Sequence, residues 1–391
     1  VSLFPKRIFE ELQLDIELLG RKIASYTPYD SNGLLLSNEN KEISKASVLA
    51  LGYGLEEWNG YQHILKMQAR FAALVWDSLL EPLKSREEWK SYFDRQGEKD
   101  LWEAMIEKPI GLLIEKYVKS DVLRGVLLTD AKIGAFTHAM DNSLMQNKTF
   151  LYHIIGNKTG EWRVPKGGMG TLVKQLHLKA LDLAVVFKVN AEVKEIDQKK
   201  VKLNNQEFSA DYILMNAAPQ LLDKLISTKN KFKANGLGKT FEGKEGTAFK
   251  INILLERLPK LKNKGLDPED AFAGTFHINQ HYSQLATAFN EAMKGKIPTV
   301  FPCEMYCHTL TDNSILSDEL NKKGYHTITV FGLDMPYSLF KNENTKNKEI
   351  VWQKFLKGIN AFLEEPLEEC IANDSHGNLC FECKSALDLE N

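Results

Sequence analysis

Long apolar runs are absent from this 391-residue chain. None approaches the roughly 18 residues that indicate a membrane-spanning helix, and no signal-peptide pattern follows Val1. An excess of charge of one sign is absent too, because acidic and basic residues leave a net charge of only −2. No basic surface field is therefore expected, and we predict no nucleic-acid partner. With 43% apolar and 26% charged residues, the composition is that of a globular protein.

Cysteine is scarce, odd in number and confined to the late part of the chain, at Cys303, Cys307, Cys370, Cys380 and Cys383. Such usage does not build a disulfide framework and favours a reducing compartment. In a strand, Cys380 and Cys383 would point to opposite faces. Cys303 and Cys307 would share a face but lie too far apart for one metal ion. A site that joins the two pairs is geometrically possible, but we predict no metal.

Four histidines are considered as metal ligands, namely His138, His153, His277 and His281. The last two are four residues apart, but they lack the H-E-x-x-H pattern and a third ligand nearby. We interpret each of the four as a surface histidine or as a core histidine with a hydrogen-bonding partner.

Periodicity predicts a mixed fold. From 41 to 129, apolar residues such as Trp58 and Phe71 recur at helical spacing and indicate a helical subdomain. Later segments alternate between strand and helix, which is typical of an α/β or mixed α+β protein. The predicted strands lie at 150–156, 184–197 (two strands with a bend at Asn190), 201–209 (a hairpin), 212–215, 247–259, 299–310, 325–333 and 379–383.

The segment from 164 to 219 carries the most functional information. Pro165 and a glycine pair stand where a helix begins, and small residues there let a backbone approach an anion or a flat cofactor. A hydrophobic strand that we expect to be buried then stops at Asn216-Ala217-Ala218-Pro219. Because α/β proteins bind ligands at the carboxyl edge of their sheets, this strand end is a candidate binding edge.

Several motifs occur in a characteristic order: P-x-G-G-M-G-x-L from Pro165, V-x-x-I from Val193, V-x-L from Val201 and ADYILMNAAP ending at Pro219. This order resembles the middle of the phytoene dehydrogenase-like flavoproteins, which are relatives of the amine oxidases. Four further stretches are similar to the branch called pyridine nucleotide-disulfide oxidoreductase domain-containing protein 2, at 120–136, 246–259, 303–315 and 380–391. The resemblance covers nearly the whole chain.

This resemblance implies an FAD-dependent oxidoreductase in which the flavin accepts a hydride from an apolar or amine-like small molecule. In the family, the backbone of the strand at 191–193 faces the adenine, and the Asn-Ala-x-Pro strand end lies near the dinucleotide. The cofactor-side residues so implied are Gly167, Gly168, Met169, Gly170, Val193, Asn216 and Ala217. Because the chemistry belongs largely to the cofactor, no catalytic side chain is predicted.

The implied architecture is a partial FAD-binding Rossmann-like domain with an inserted helical and β-sheet substrate domain. Five segments follow from it: 1–40 (remnant of the FAD domain and its connection), 41–163 (helical substrate subdomain), 164–227 (FAD-domain segment), 228–372 (substrate-domain sheet and helices) and 373–391 (return toward the FAD domain). In this family the helical insertion walls an apolar tunnel and rests on membranes in some members, so peripheral membrane contact is one expectation. We expect an intracellular location, cytoplasmic or at a membrane surface, and mitochondrial in a eukaryote.

Two motifs of the family are not found. The family opens with G-x-G-x-x-G, whose glycines bring the backbone to the pyrophosphate, but the stretch 52–58 offers only G-x-G between helical segments. The C-terminal Pro-Gly-Gly segment is not found either, so we expect a fragment. Two other functions stay open: a flavin-free, non-catalytic binding or regulatory protein that keeps the fold, and an amine-oxidase-like flavoenzyme.

Overall fold

The computed structural model describes residues 3–197, 199–226 and 245–389. Two compact units are present, a larger one formed by Val1–Leu176 with Glu245–Asn391 and a smaller one formed by His177–Lys244. The described α-helices, in chain order, are α1 Lys6–Leu12, α2 Lys41–Leu49, α3 Leu55–Val75, α4 Arg86–Arg95, α5 Lys99–Trp102, α6 Ile110–Tyr117, α7 Asp121–Lys132, α8 Met145–Ile154, α9 Met169–Asp182, α10 Pro219–Leu225, α11 Pro268–Ala273, α12 Tyr282–Met293, α13 Asp318–Lys322 and α14 Asn344–Asn360. None of these helices is both long enough and apolar enough to cross a bilayer.

The described strands form one large sheet and two small ones. Their bounds are β1 Leu18–Leu19, β2 Ile23–Tyr29, β3 Asn32–Ser37, β4 Val164–Pro165, β5 Glu195–Asp197, β6 Lys200–Lys202, β7 Glu207–Ser209, β8 Phe249–Leu255, β9 Thr275–Ile278, β10 Cys303–Tyr306, β11 His326–Gly332 and β12 Phe381–Lys384. The large sheet has seven strands in the order β12-β8-β11-β10-β9-β2-β3. Its neighbours are antiparallel, apart from the parallel pair β2 and β9.

Alternation along the strands gives the large sheet two different faces. Strand β8 reads FKINILL and buries every second residue, from Phe249 to Leu255, as a period of two requires. The buried face packs against α14, where Trp352 stacks on Phe381 with ring centroids 4.1 Å apart. Phe355 of α14 belongs to the same buried cluster. The opposite face carries polar and aromatic side chains.

Helices α2 to α8 form a layer with its own core, as the helical periodicity from 41 to 129 predicts. Trp58, Phe71 and Phe93 are buried there together with Leu34 and Leu36 of β3, so the layer is joined to the edge of the large sheet. Side-chain caps begin these helices where the sequence offers them. The Ser120 hydroxyl, for example, accepts a hydrogen bond from the Leu123 amide at the start of α7.

A buried ion pair also connects the helical layer to the sheet. Lys132, at the end of α7, lies 3.0 Å from a carboxylate oxygen of Asp334, which follows β11, and both side chains are at most 1% exposed. The Lys132 ammonium also donates to the Thr137 carbonyl at 2.5 Å. Burial raises the pKa of the Asp334 carboxyl, and Lys132 opposes that shift. The pair therefore depends on both partners, because either charge alone would be buried without compensation.

The smaller unit contains the end of α9, a three-stranded sheet and α10. Strands β5, β6 and β7 are antiparallel neighbours, with Ile196 opposite Val201 and Val201 opposite Phe208. The predicted hairpin at 201–209 and the helix after Pro219 are thus confirmed.

Three strand predictions are wrong. The segment 150–156 lies mostly in helix α8, because Phe150, His153 and Ile154 are buried on one helical face. Residues 184–190 and 212–215 form no strand, and Val186 and Leu214 are 80% and 95% exposed. A strand requires a hydrogen-bonded neighbour, and neither segment has one among the described residues.

We expect Lys132→Met to lower the free energy of unfolding by about 3–5 kcal/mol, since it leaves the Asp334 carboxylate buried without its cation. The change would be measured by urea denaturation. The matched control is Lys119→Met, whose exposed pair with Glu56 predicts a loss below about 1 kcal/mol.

A double variant, Lys132→Met with Asp334→Asn, should recover much of the loss because no charge then remains. Asparagine tolerates the φ of +56° at this position. A Lys132→Met protein as stable as the control would contradict this account of the pair.

Candidate functional site

The polar face of the large sheet brings chemically active side chains into adjacent rows. Strand pairing fixes the rows, because residues opposite each other on neighbouring strands share a face. One row holds Lys250, Phe331, Glu304 and His277, and the next holds Asn252, Thr329, Tyr306 and Thr275. We refer to these eight residues as the polar face.

Glu304 and Tyr306 are the centre of this polar face. The Tyr306 hydroxyl donates to Glu304 Oε1 at 2.6 Å, and the Glu304 side chain is only 2% exposed. Burial raises the pKa of the Glu304 carboxyl to about 8, although the Tyr306 hydrogen bond opposes the shift. Burial also raises the pKa of Tyr306. The neutral forms of both groups are therefore favoured at neutral pH.

His277 lies beside Glu304 and is held by a neighbouring strand. Its Nδ1 lies 2.8 Å from the Thr27 hydroxyl of β2, and burial lowers the pKa of His277 to about 3. The imidazole is therefore neutral in the folded protein. This geometry confirms the prediction of a core histidine with a hydrogen-bonding partner.

Helix α7 brings a second carboxyl group close to Glu304. Burial raises the pKa of Asp130, and nearby His153 of α8 opposes that shift. The Asp130 charge in turn raises the pKa of Glu304. His153 is anchored through Nδ1, which lies 2.8 Å from the Thr149 carbonyl. Two carboxyl groups with raised pKa values thus lie where the helical layer meets the polar face, an arrangement that is common in functional sites.

The predicted glycine turn lies elsewhere in the larger unit, where it begins α9. Gly167 and Gly168 both have φ near +79°, a conformation that favours glycine. The Gly167 amide donates to the Asp312 carboxylate at 2.7 Å, which holds the turn. Gly170 is inside the helix, and a Cβ added there would meet nothing within 4 Å. Met169, also predicted to be close to the cofactor, is 55% exposed.

The other predicted cofactor residues lie in the smaller unit. Val193 precedes β5, and its backbone amide and carbonyl have no hydrogen-bonding partner among the described residues, whereas the Lys194 amide pairs with Lys202. Asn216 and Ala217 are adjacent and exposed shortly before α10. The contacts of all seven residues with a cofactor stay predictions.

Glu304, Tyr306 and Asp130 were missed at the level of sequence. A signal for the first two exists in the stretch Cys-Glu-Met-Tyr-Cys-His at 303–308. Its odd positions are apolar and its even positions are polar, which predicts a strand with one chemically active face. Asp130 offers no comparable signal, because its proximity to Glu304 depends on how α7 packs over the sheet.

Comparison with known proteins identifies the family. The model of the flavin containing amine oxidoreductases matches residues 47–286, which is more than half of the chain. An uncharacterized protein of Mycobacterium tuberculosis is 34% identical over 405 residues, covering all of this chain and 73% of that protein. Pyridine nucleotide-disulfide oxidoreductase domain-containing protein 2 of Rattus norvegicus is 25% identical over 251 residues, covering 60% of this chain and 42% of that protein.

Solved structures show the same fold at low sequence identity. A protein of Pyrococcus furiosus superposes with a TM-score of 0.52 at 14% identity, covering 97% of this chain and 71% of that one. A double mutant of putrescine oxidase superposes with a TM-score of 0.51 at 12% identity, covering 97% of this chain and 73% of that one. The mixed α/β fold class predicted from the sequence is thus confirmed.

We expect Glu304→Gln to change how stability depends on pH. The folded protein holds the Glu304 proton up to about pH 8, whereas an unfolded glutamate releases it near its ordinary value of 4.5. Folding therefore takes up a proton between these values, and the wild type loses stability as pH rises through that window. Glutamine does not titrate, so the variant should gain stability relative to the wild type from pH 4.5 to about 8, measured by urea denaturation.

The control is Glu382→Gln on the exposed part of β12, where the same change is made at a carboxylate that is not buried. His277 has the opposite effect: because its pKa is lowered in the folded protein, it makes stability rise with pH below its ordinary pKa of 6.5. It is present in every variant, so its contribution cancels when the stability of a variant is compared with that of the wild type. Parallel curves for Glu304→Gln and the wild type would show that Glu304 titrates normally.

Proposed function

Because the chain belongs to the flavin containing amine oxidoreductase family, we propose that it is an FAD-dependent oxidoreductase. The reaction is transfer of a hydride from an apolar or amine-like small molecule to the flavin. The family match over residues 47–286 is the observation that carries this proposal. It spans the glycine turn, the helical layer and His277 of the polar face.

The residues at the predicted cofactor positions fit a dinucleotide in their chemistry. At the start of α9, the Thr171 amide donates to the Gly168 carbonyl, whereas the amides of Met169 and Gly170 have no hydrogen-bonding partner among the described residues. Gly170 also leaves open space for a flat group. In the smaller unit, the amide and carbonyl of Val193, which have no partner among the described residues, offer one donor and one acceptor, which suits the edge of an adenine. We propose that Gly167, Gly168, Met169 and Gly170 in the larger unit contact FAD. For Val193, Asn216 and Ala217 of the smaller unit, the cofactor contact implied by the family resemblance stays a prediction.

When bound, FAD supplies an acceptor for two electrons and a proton. The side chains of the polar face have the tasks of orienting the substrate and excluding water. A protonated Glu304, whose Oε1 accepts the Tyr306 hydrogen bond, keeps a hydroxyl group that can donate to a substrate atom. The Phe331 and Tyr306 rings, 5.9 Å apart in an edge-to-face contact, provide apolar surface beside it.

The substrate has two candidate classes within this function. The motif order of the sequence supports a phytoene dehydrogenase-like enzyme with an apolar substrate. The family description and the fold shared with putrescine oxidase support an amine substrate.

We expect Gly170→Ala to weaken FAD binding by about tenfold, the factor that 1.4 kcal/mol represents, because its methyl group would occupy the space proposed for the cofactor. Stability should be unchanged or higher, since alanine favours a helix by about 1 kcal/mol relative to glycine. Affinity would be measured by quenching of FAD fluorescence, with the protein expressed from its complete natural reading frame.

Lys179→Ala in the last turn of the same helix, on the side opposite Gly170, is the matched control and should bind FAD like the wild type. Equal FAD affinity of Gly170→Ala and the wild type would remove Gly170 from the cofactor site. Absence of FAD binding in all three proteins would contradict the proposed function itself.

A further inference from the structure

Two cationic side chains and a histidine lie close together at the polar face. Arg21 precedes β2, Lys250 belongs to β8 and His308 follows β10. Burial lowers the pKa of His308 most, and the charges of Arg21 and Lys250 lower it further, which shows that both cations lie close to this ring. Among the described residues, none of the three is paired with a carboxylate. The polar contact of the Arg21 side chain is a long one, 3.5 Å, to the Thr275 hydroxyl.

Two aromatic rings connect these three side chains. The Arg21 guanidinium lies 5.4 Å from the Tyr306 ring centroid, and the His308 ring stacks parallel to Tyr306 at 5.8 Å. The Lys250 ammonium lies 5.7 Å from the centroid of Phe331. Contacts of this kind position a cation while leaving its N–H groups free to donate. Half-buried ring surface and N–H donors therefore lie side by side.

Of the carboxyl groups at this face, Glu382 pairs with Lys384 at 3.1 Å, and Glu304 and Asp130 are shifted toward their neutral forms. Glu304 has a pKa raised to about 8 by burial, and burial raises the pKa of Asp130 as well. Both shifts favour uncharged carboxyl groups. Arg21 and Lys250 therefore keep an excess of positive charge on a surface that is only partly exposed to water, and His308, whose pKa burial lowers, adds a neutral imidazole.

We propose that Arg21, Lys250 and His308 bind an oxyanion, the carboxylate or phosphate group of an otherwise apolar ligand. The Tyr306 and Phe331 rings contact the carbon chain of the same molecule. The Arg21 guanidinium suits this task because its planar donors match a carboxylate or a phosphate. The inference rests on the proposed function only in taking this ligand to be the substrate.

The test is isothermal titration calorimetry with probes of one chain length: hexanoate, hexyl phosphate, hexylammonium and hexanol. We expect the wild type to bind one of the two anions, and the comparison of hexanoate with hexyl phosphate identifies the group. Hexanol and hexylammonium should bind at least about tenfold more weakly, the factor that 1.4 kcal/mol represents. Added salt should weaken binding of the anion and leave that of hexanol unchanged.

Arg21→Met and Lys250→Met should each weaken binding of the anion by about tenfold, whereas Lys294→Met should not. The control has the same change in charge and lies at the exposed end of α12, and thermal unfolding would verify that all variants fold. Anion affinities of both variants equal to that of the wild type would overturn the proposal. Tighter binding of hexylammonium than of either anion would also overturn it and would assign the carboxyl groups as the recognition element.

The calorimetry needs no turnover, so it separates the two proposals. Anion binding by a protein that takes up no FAD would support the oxyanion site and contradict the oxidoreductase. FAD binding without anion binding would support the oxidoreductase and contradict the oxyanion site.

Discussion

The alternation of side chains along β10 is the constraint on which the candidate site depends. Cys303 and Met305 lie in the core, so Glu304 and Tyr306 must lie on the opposite face. Both neighbouring strands pair with β10 over its whole length. A register shift of one residue would bury the polar pair in the core and expose the apolar one, so burial of Cys303 and Met305 fixes the site.

Placing titratable groups on a partly covered face costs stability, and the structure limits that cost by favouring neutral forms. Glu304 keeps its proton up to about pH 8, and His277 stays neutral down to about pH 3. The cover is the helical layer, which the Lys132–Asp334 pair fastens to the end of β11. The same ion pair that stabilises the fold thus holds α7, which carries Asp130, against the large sheet.

Local patterns made much of the fold predictable. The alternation of apolar residues along β8 and their helical spacing from 41 to 129 predict which side chains are buried, and the structure agrees with both predictions. The prediction of strands at 184–190 and 212–215 was wrong because an apolar run does not tell which neighbouring strand, if any, would pair with it. The segment 150–156 failed because Phe150, His153 and Ile154 also fit a helical face. Asp130 could not be found, because its site is created by packing of distant segments.

The visible absorption spectrum of the purified protein, expressed from its complete natural reading frame, tests the central claim most directly. The proposed function predicts the absorption bands of an oxidised flavin, and it predicts that heat denaturation releases FAD in a ratio close to one per chain. Anaerobic addition of a substrate should bleach these bands. A colourless protein that takes up no FAD on incubation would contradict the assignment of this chain as an FAD-dependent oxidoreductase.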